Sequence, residues 1–260
     1  MTIRNSLRAG AAALALSAAS FGLLPAQADH HEAAIEAAVN HPDRPATDRA
    51  RDALRKPAEI LKFAGIKPGM TVLDINSAGG YYTELLSRTV GEEGKIYAHN
   101  GSVYWAFMKQ TTPPRYEEGR LQNVVQIHDG NETFSLPPES LDAAMAVLAY
   151  HDYYFTHEAR QGGGYEDVPA VLASLYAALR SGGYVVIVDH LAPAGTGPAD
   201  FDTMHRIDPD VVRAQMLAAG FKLDGESSIL LNPDDGLIGS PFDPAIRGKT
   251  SRFILRFVKK

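Results

Sequence analysis

Short apolar runs alternate along this chain with segments of helical hydrophobic spacing, and this alternation restricts the fold more than any other feature. Strands are predicted at 70–75, 95–100, 123–128, 141–149, 184–189, 227–231 and 252–258. Helices are predicted at 48–64, 81–90, 103–110, 168–179 and 210–219. Strands that alternate with helices form a mainly parallel sheet covered by helices on both faces. The chain is therefore expected to adopt an α/β fold.

The last two predicted strands differ from the others, because no convincing helix lies between 227–231 and 252–258. A parallel connection needs a crossover, usually a helix, whereas antiparallel strands do not. We therefore expect a seven-stranded, mostly parallel sheet with an antiparallel pair at its edge.

The first 28 residues have the pattern of a secretory signal peptide. Arg4 and Arg8 precede an apolar, alanine-rich run, and Ala26-Gln27-Ala28 fits the small-residue cleavage site of such peptides. We expect cleavage after Ala28, so that the protein is exported, periplasmic or secreted, and has no stable membrane insertion after cleavage.

The segment 29–47 is polar, alanine-rich and interrupted by two prolines. Its histidines His30, His31 and His41 are compatible with metal capture, but chain ends outside a core are usually loose. We interpret 29–47 as a flexible leader and 48–260 as a single domain.

Composition excludes several kinds of chemistry. The chain has no cysteine, so disulfides, thiolate metal sites, iron–sulfur clusters and thiol nucleophiles are ruled out. Its formal net charge is −6, and an acidic surface repels phosphate backbones. We therefore expect a small-molecule substrate and no nucleic-acid partner; the sequence does not indicate an oligomeric state.

The loop after the first predicted strand is the first place to look for a ligand, since parallel sheets bind ligands at the carboxyl ends of their strands. Asp74 lies near the strand end, and small residues follow from Ser77 to Gly80. Small side chains let a ligand approach the backbone, and the start of the next helix offers unpaired N–H groups. A glycine-rich turn alone is also typical of an ordinary strand-to-helix connection.

At this loop the sequence V-L-D-I-N-S-A-G-G (72–80) resembles the first motif of class I S-adenosylmethionine-dependent methyltransferases, V-L-D-x-G-x-G-x-G. Further along, A-L-R-S-G-G-Y (178–184) resembles the family's turn into its fifth strand, and A-G-F (219–221) resembles the end of a late helix. The resemblance covers most of 50–260. It implies a Rossmann-like fold, S-adenosylmethionine as cofactor, and methyl transfer to a small-molecule acceptor.

The resemblance also implies a set of cofactor-binding positions: Asp74, Asn76, Ala78, Gly80, Asn100 and Asp129. Asn76 and Ala78 stand where the family has glycines. Asn100 stands where the family usually has an acidic residue on the ribose hydroxyls, and an amide still forms hydrogen bonds there, with less charge assistance. Asp129 follows the third strand, where the family often contacts the adenine amino group.

Titratable side chains follow the fourth and fifth predicted strands. His151 and Asp152 come after the fourth strand, Asp189 and His190 end the fifth, and His205 comes later. We predict that these groups converge on one cavity, with His151, Asp152, His190 and His205 as catalytic residues. Histidine exchanges protons near neutral pH and aspartate orients it, so His151 and His190 are the candidate general bases. Helix capping and structural hydrogen bonds are the alternative for each.

Two other functions stay open at this stage. One is a non-catalytic ligand-binding module on the same fold, favoured by the altered loop. The other is a metal-dependent enzyme in which Asp152, Asp189 and His190 are the ligands, although no compact metal-binding motif supports it. We favour the methyltransferase without a metal.

Overall fold

The computed structural model describes residues 24–108, 114–116, 120–160 and 162–260. The helices are α1 (Leu24–Val39), α2 (Ala46–Arg49), α3 (Asp52–Arg55), α4 (Pro57–Ala64), α5 (Tyr81–Val90), α6 (Ser102–Met108), α7 (Val168–Ala178), α8 (Pro198–Met204) and α9 (Pro209–Ala218). The strands are β1 (Thr71–Ile75), β2 (Lys95–His99), β3 (Val124–Ile127), β4 (Leu141–Val147), β5 (Leu179–His190), β6 (Lys222–Ser227) and β7 (Arg252–Val258). Most of the predicted signal peptide, residues 1–23, lies outside the described residues.

The seven strands form one sheet in the order β3-β2-β1-β4-β5-β7-β6. The first five strands are parallel, while β7 is antiparallel to both β5 and β6. This confirms the predicted fold class. The order reverses between β1 and β4, so the loops after these two strands diverge and leave a crevice between them.

Helices cover both faces of the sheet and bury two apolar clusters. One face packs on α1, α4 and α5, and the other packs on α7 and α9. Val72, Leu73 and Ile75 of β1 are all buried, as expected for a parallel strand with helices on both sides. Asp167 and Asp208 cap α7 and α9 by accepting backbone N–H groups, which stabilises helix starts.

The expectation of a loose leader at 29–47 is wrong in the structure. Most of this segment is helical, in α1 and α2. Ile35 and Ala38 of α1 are buried, and Ile35 belongs to the apolar cluster that includes residues of α4 and α5. The segment is polar on average, and this led to the expectation of a loose leader. The structure shows that apolar residues on one side of α1 pack against the domain.

The predicted sixth strand is also displaced. The structure has β6 at Lys222–Ser227, and 228–231 is a loop in which Leu230 is buried. β6 is an edge strand with four exposed residues. It forms through backbone pairing with β7 and lacks the apolar run by which buried strands are identified. None of the helices in the described part of the chain is both long and apolar enough to cross a membrane.

Candidate active site

A cavity of about 500 Å³ opens at the carboxyl ends of β1, β4 and β5. At one end the wall is the loop after β1, and at the other it is a group of histidine and aspartate side chains that follow β4 and β5. Aromatic and aliphatic side chains line the space between the two ends. Its size and mixed lining are those of a small-molecule site.

The loop after β1 keeps the backbone shape that its sequence pattern predicts, although two glycines are replaced. Asn76 has φ 50°, Ala78 has φ 48° and Gly80 has φ 74°, so all three alternating positions are left-handed. Asparagine tolerates this region, whereas alanine is strained there by about 1 kcal/mol. The turn therefore survives both substitutions, and Asn76 and Ala78 line the cavity.

Two asparagine side chains hold this loop against the end of β2. Asn76 Oδ1 accepts the N–H of Gly101 at 3.0 Å, and Asn100 Oδ1 accepts the N–H of Ala78 at 2.9 Å. The Asn100 amide also donates to Ser77 Oγ at 3.1 Å. Asn100 is thus engaged in the loop and does not line the cavity, in contrast to its predicted place at a ribose.

Two further predicted cofactor residues also lie outside the cavity lining. Asp129 accepts the N–H of Ser135 at 2.8 Å, in the turn after β3. At Gly80 a Cβ atom would approach Cδ of Arg115 at 2.7 Å and overlap the ring of Tyr116. Gly80 is therefore needed for close packing against 115–116, and a larger residue there would meet these side chains.

Asp74 is a buried acid near the end of β1, just before the loop. Its Oδ2 accepts the hydroxyl of Thr83 at 2.6 Å, and the residue lines the cavity. Burial raises the pKa of Asp74 to about 7, against the opposing effects of the Thr83 hydrogen bond and the charge of Arg115. Asp74 therefore changes charge near neutral pH, and a cationic ligand group beside it would favour the carboxylate.

At the other end of the cavity His151 lies between two carboxylates. Its Nδ1 contacts Asp189 Oδ1 at 2.7 Å and its Nε2 contacts Asp152 Oδ1 at 3.1 Å. Burial alone would lower the pKa of His151, but the charges of Asp189 and Asp152 outweigh burial and raise it to about 10. Both ring nitrogens have carboxylate partners, so His151 lacks the free lone pair that a general base requires.

Asp152 connects His151 to two further groups. The hydroxyl of Tyr104 donates to Asp152 Oδ2 at 2.5 Å, and His205 Nδ1 lies 3.4 Å from Oδ1. Burial alone would raise the pKa of Asp152, but His151 and the hydrogen bonds from His205 and Tyr104 hold it far below its ordinary range. Asp152 is consequently a carboxylate at any physiological pH.

His190 has a different environment from His151. Its Nδ1 lies 2.8 Å from Oγ1 of Thr250, which is buried. Burial, followed by the charge of His151, lowers the pKa of His190 well below its ordinary value, so the ring is neutral. We assign the donor role to the Thr250 hydroxyl, which has no other partner among the described residues, because an unpaired buried hydroxyl is costly. The proton of His190 is therefore on Nε2, which has no protein partner in the described part of the chain.

The cavity thus brings together all four residues predicted as catalytic: His151, Asp152, His190 and His205 line it. Both ring nitrogens of His151 contact carboxylates and His190 Nδ1 contacts the Thr250 hydroxyl, and the general-base roles expected of the two rings stay predictions. Asp189 lies behind His151 and does not line the cavity.

Sequence reasoning missed several residues of the cavity lining, among them Tyr104, Phe242, Arg51 and Arg55. It also missed Thr250, which contacts His190. Thr250 was detectable in principle, because antiparallel pairing of β7 with β5 places Arg252 opposite His190. The guanidinium of Arg55 lies 4.5 Å from the ring centroid of Tyr81 and has no acidic partner among the described residues. Arg51 lies beside it and is paired with Asp48. No sequence signal connects these two arginines with the loop after β1.

No protein-family model matches the chain, and no curated protein matches it in sequence. Solved structures do match. A methyltransferase from Aquifex aeolicus, described as dependent on S-adenosylmethionine, is 21% identical with a TM-score of 0.55, over 81% of this chain and 93% of its own.

Two further structures have similar coverage. The putative methyltransferase of Haloferax volcanii, solved with the Trm112 methyltransferase activator, is 14% identical with a TM-score of 0.55, over 86% of this chain and 96% of its own. A putative sarcosine dimethylglycine methyltransferase from Galdieria sulphuraria is 15% identical with a TM-score of 0.52, over 82% of this chain and 86% of its own. The chain therefore has the Rossmann-like fold of class I S-adenosylmethionine-dependent methyltransferases.

Proposed function

We propose that the protein transfers a methyl group from S-adenosylmethionine to a small-molecule acceptor. The observation that carries this proposal is one continuous cavity, with the loop after β1 at one end and the histidine–aspartate group at the other. A donor and an acceptor bound at these two ends would lie side by side, and positioning is most of what methyl transfer requires.

The loop end fits the amino-acid part of the cofactor. Gly79 has open space where a Cβ would stand, and its N–H has no partner among the described residues. The start of α5 and the guanidinium of Arg55 favour a carboxylate. Asp74 favours an ammonium group. The loop thus offers both charges that a zwitterionic methionine group needs.

When bound, S-adenosylmethionine supplies an electrophilic methyl group on its sulfonium. The chain's own residues then act on the acceptor. His190 Nε2–H donates a hydrogen bond into the cavity, and the negative Asp152 is held in place by Tyr104 and His205. Phe155 and Phe242 pack around the His205 ring and provide apolar surface at this end.

A small acceptor is supported by the cavity volume of about 500 Å³ and by the neighbour named for sarcosine and dimethylglycine methylation. One observation favours a second function, a ligand-binding module without turnover. Asn100 lacks the negative charge expected at a ribose, and its side chain is turned towards Ala78. Both features weaken the binding of a nucleoside.

Turnover decides between the two functions. The purified protein is incubated with methyl-labelled S-adenosylmethionine and a small-molecule extract of the organism that makes it, and labelled products are identified by mass spectrometry. We expect S-adenosylhomocysteine to form together with one labelled product. Cofactor binding without transfer to any component would instead support the binding module.

We also propose that the protein is exported. The support is the sequence pattern of residues 1–28 alone. Intact-mass measurement on material from outside the cytoplasm tests it, with a mature N-terminus at Asp29 as the expected result. A full-length mass from that material would overturn the proposal.

A further inference from the structure

We propose that His151, Asp152 and His205 form a binding site for one divalent transition-metal ion. Their ligand atoms converge on one point at the polar end of the cavity. Asp152 Oδ1 lies 3.1 Å from His151 Nε2 and 3.4 Å from His205 Nδ1, and all three atoms are within 4.8 Å of one another.

These separations are those that a small metal ion imposes. Zinc binds imidazole nitrogens and carboxylate oxygens at about 2.0–2.2 Å, so neighbouring ligand atoms of a tetrahedral site are about 3.3 Å apart. The two distances to Asp152 Oδ1 already match this value. The two imidazoles also offer ligand atoms within 4.8 Å of each other.

The residues behind the cluster provide the support that metal ligands usually have. His151 uses its second nitrogen, Nδ1, for the buried carboxylate of Asp189 at 2.7 Å. A ligand histidine bound in this way to a carboxylate is fixed in tautomer and orientation. Tyr104 holds the second oxygen of Asp152 at 2.5 Å, which leaves Oδ1 for the ion. The contacts from Asp189 and Tyr104 are a second observation in favour of a metal site, separate from the convergence of the three ligand atoms.

The ligand set also indicates the class of ion. Two imidazoles and one carboxylate suit zinc, iron(II) or cobalt(II), whereas magnesium and calcium require mostly oxygen ligands. All three residues line the cavity, so the remaining coordination position faces the acceptor end. His190 is not a ligand in this site, because it does not belong to the group whose ligand atoms converge. The site thus retains only Asp152 from the ligand set that the sequence suggested.

A catalytic role for the ion rests on the proposed function. Binding of the ion to these three residues does not depend on that function. An acceptor hydroxyl on a metal ion loses its proton more easily. Binding requires the ion to displace the proton from His151 Nε2, because a ligand imidazole is neutral, and the bound ion would then supply the activation that the ring cannot provide without it.

The test is metal titration of untagged protein from which metals have been removed by chelation. Zinc and cobalt(II) are added separately in a calorimeter, and the cobalt complex is also examined by visible absorption. We expect one ion per chain, cobalt bands typical of a low-symmetry nitrogen–oxygen site, and no comparable binding of magnesium.

His205→Ala and Asp152→Asn should each weaken zinc binding by more than about 100-fold. The double variant H30A/H31A is the control for adventitious binding by the N-terminal histidines, and it should bind like the wild type. Circular dichroism shows whether each variant is folded. Absence of stoichiometric binding in the wild type, or unchanged affinity in both site variants, would overturn the proposal. Cofactor titration of the same samples separates this result from failure of the proposed function.

Discussion

Asp189 holds His151 through both of its carboxylate oxygens: Oδ1 contacts the ring Nδ1 at 2.7 Å, and Oδ2 accepts the backbone N–H of His151 at 2.9 Å. Oδ1 also accepts the backbone N–H of His190 at 2.7 Å. One buried side chain at the end of β5 therefore fixes the ring and the backbone that follow β4, which determines the shape of the polar end of the cavity.

Replacing the Asp189 carboxylate should lower the free energy of unfolding. Asp189→Asn removes the carboxylate on Nδ1 and leaves His151 with Asp152 as its charged partner, and breaking a buried pair costs about 3 kcal/mol or more. Urea unfolding of the variant should show this loss in the free energy of unfolding. The exposed Asp234→Asn, whose side chain has no partner among the described residues, should change it by less than about 0.5 kcal/mol. Equal effects of the two substitutions would refute the structural role of Asp189.

Asp74 should make the free energy of unfolding fall as the pH rises, which is the opposite of the usual effect of an acidic side chain. Its pKa is raised to about 7 in the folded protein, so the folded state binds an additional proton between about pH 4 and 7. The free energy of unfolding should therefore fall as the pH rises through this window, by about 1.4 kcal/mol for each unit of the pKa difference.

The Asp74→Asn variant isolates this contribution. Its stability relative to the wild type should increase from pH 4 to 7 and stay constant at higher pH. Chemical unfolding at several pH values measures the difference, and a flat profile would mean that Asp74 titrates as an ordinary exposed acid.

An alanine-to-glycine substitution usually lowers the free energy of unfolding. Because the backbone of Ala78 is left-handed, we expect Ala78→Gly to be an exception. Ala78→Gly removes strain of about 1 kcal/mol but loosens the unfolded chain by a similar amount. We expect a change within about 0.5 kcal/mol. Ala173→Gly, at an exposed position of α7, should cost about 1 kcal/mol. Thermal or urea unfolding compares the two, and equal losses would contradict the left-handed conformation.

The tautomer of His190 is directly observable. Proton–nitrogen correlation NMR near pH 7 should show a neutral ring with its proton on Nε2, because the Thr250 hydroxyl donates to Nδ1. In Thr250→Val this preference should weaken. A proton on Nδ1 in the wild type would restore His190 as a general base and remove it as a donor to the acceptor.

Sequence patterns predicted the fold well where burial controls it. The bounds of α5 and β7 are those expected from their apolar spacing, since both pack against the sheet core. β6 was misplaced because backbone pairing with β7, and not side-chain burial, defines an edge strand.

For the site, strand order predicted the convergence of His151, Asp152, His190 and His205, because strand ends are fixed by topology. The direction of individual side chains was not predictable. Asn100 turns towards Ala78 because an N–H is free there, and this becomes visible only when the two loops are placed together. The proton on His190 likewise depends on Thr250, sixty residues away in the chain.

Calorimetric titration with S-adenosylmethionine and S-adenosylhomocysteine tests the central claim, that the cavity holds the cofactor at the loop after β1. Gly79→Val places a side chain in the open space of the cavity without backbone strain, since Gly79 is not left-handed. Gly164→Val, which also meets open space but lies outside the cavity, is its matched control. We predict that the wild type and Gly164→Val bind both ligands alike, and that Gly79→Val binds them at least about tenfold more weakly, a loss of about 1.4 kcal/mol. No binding by the wild type, or unchanged affinity in Gly79→Val, would contradict the account.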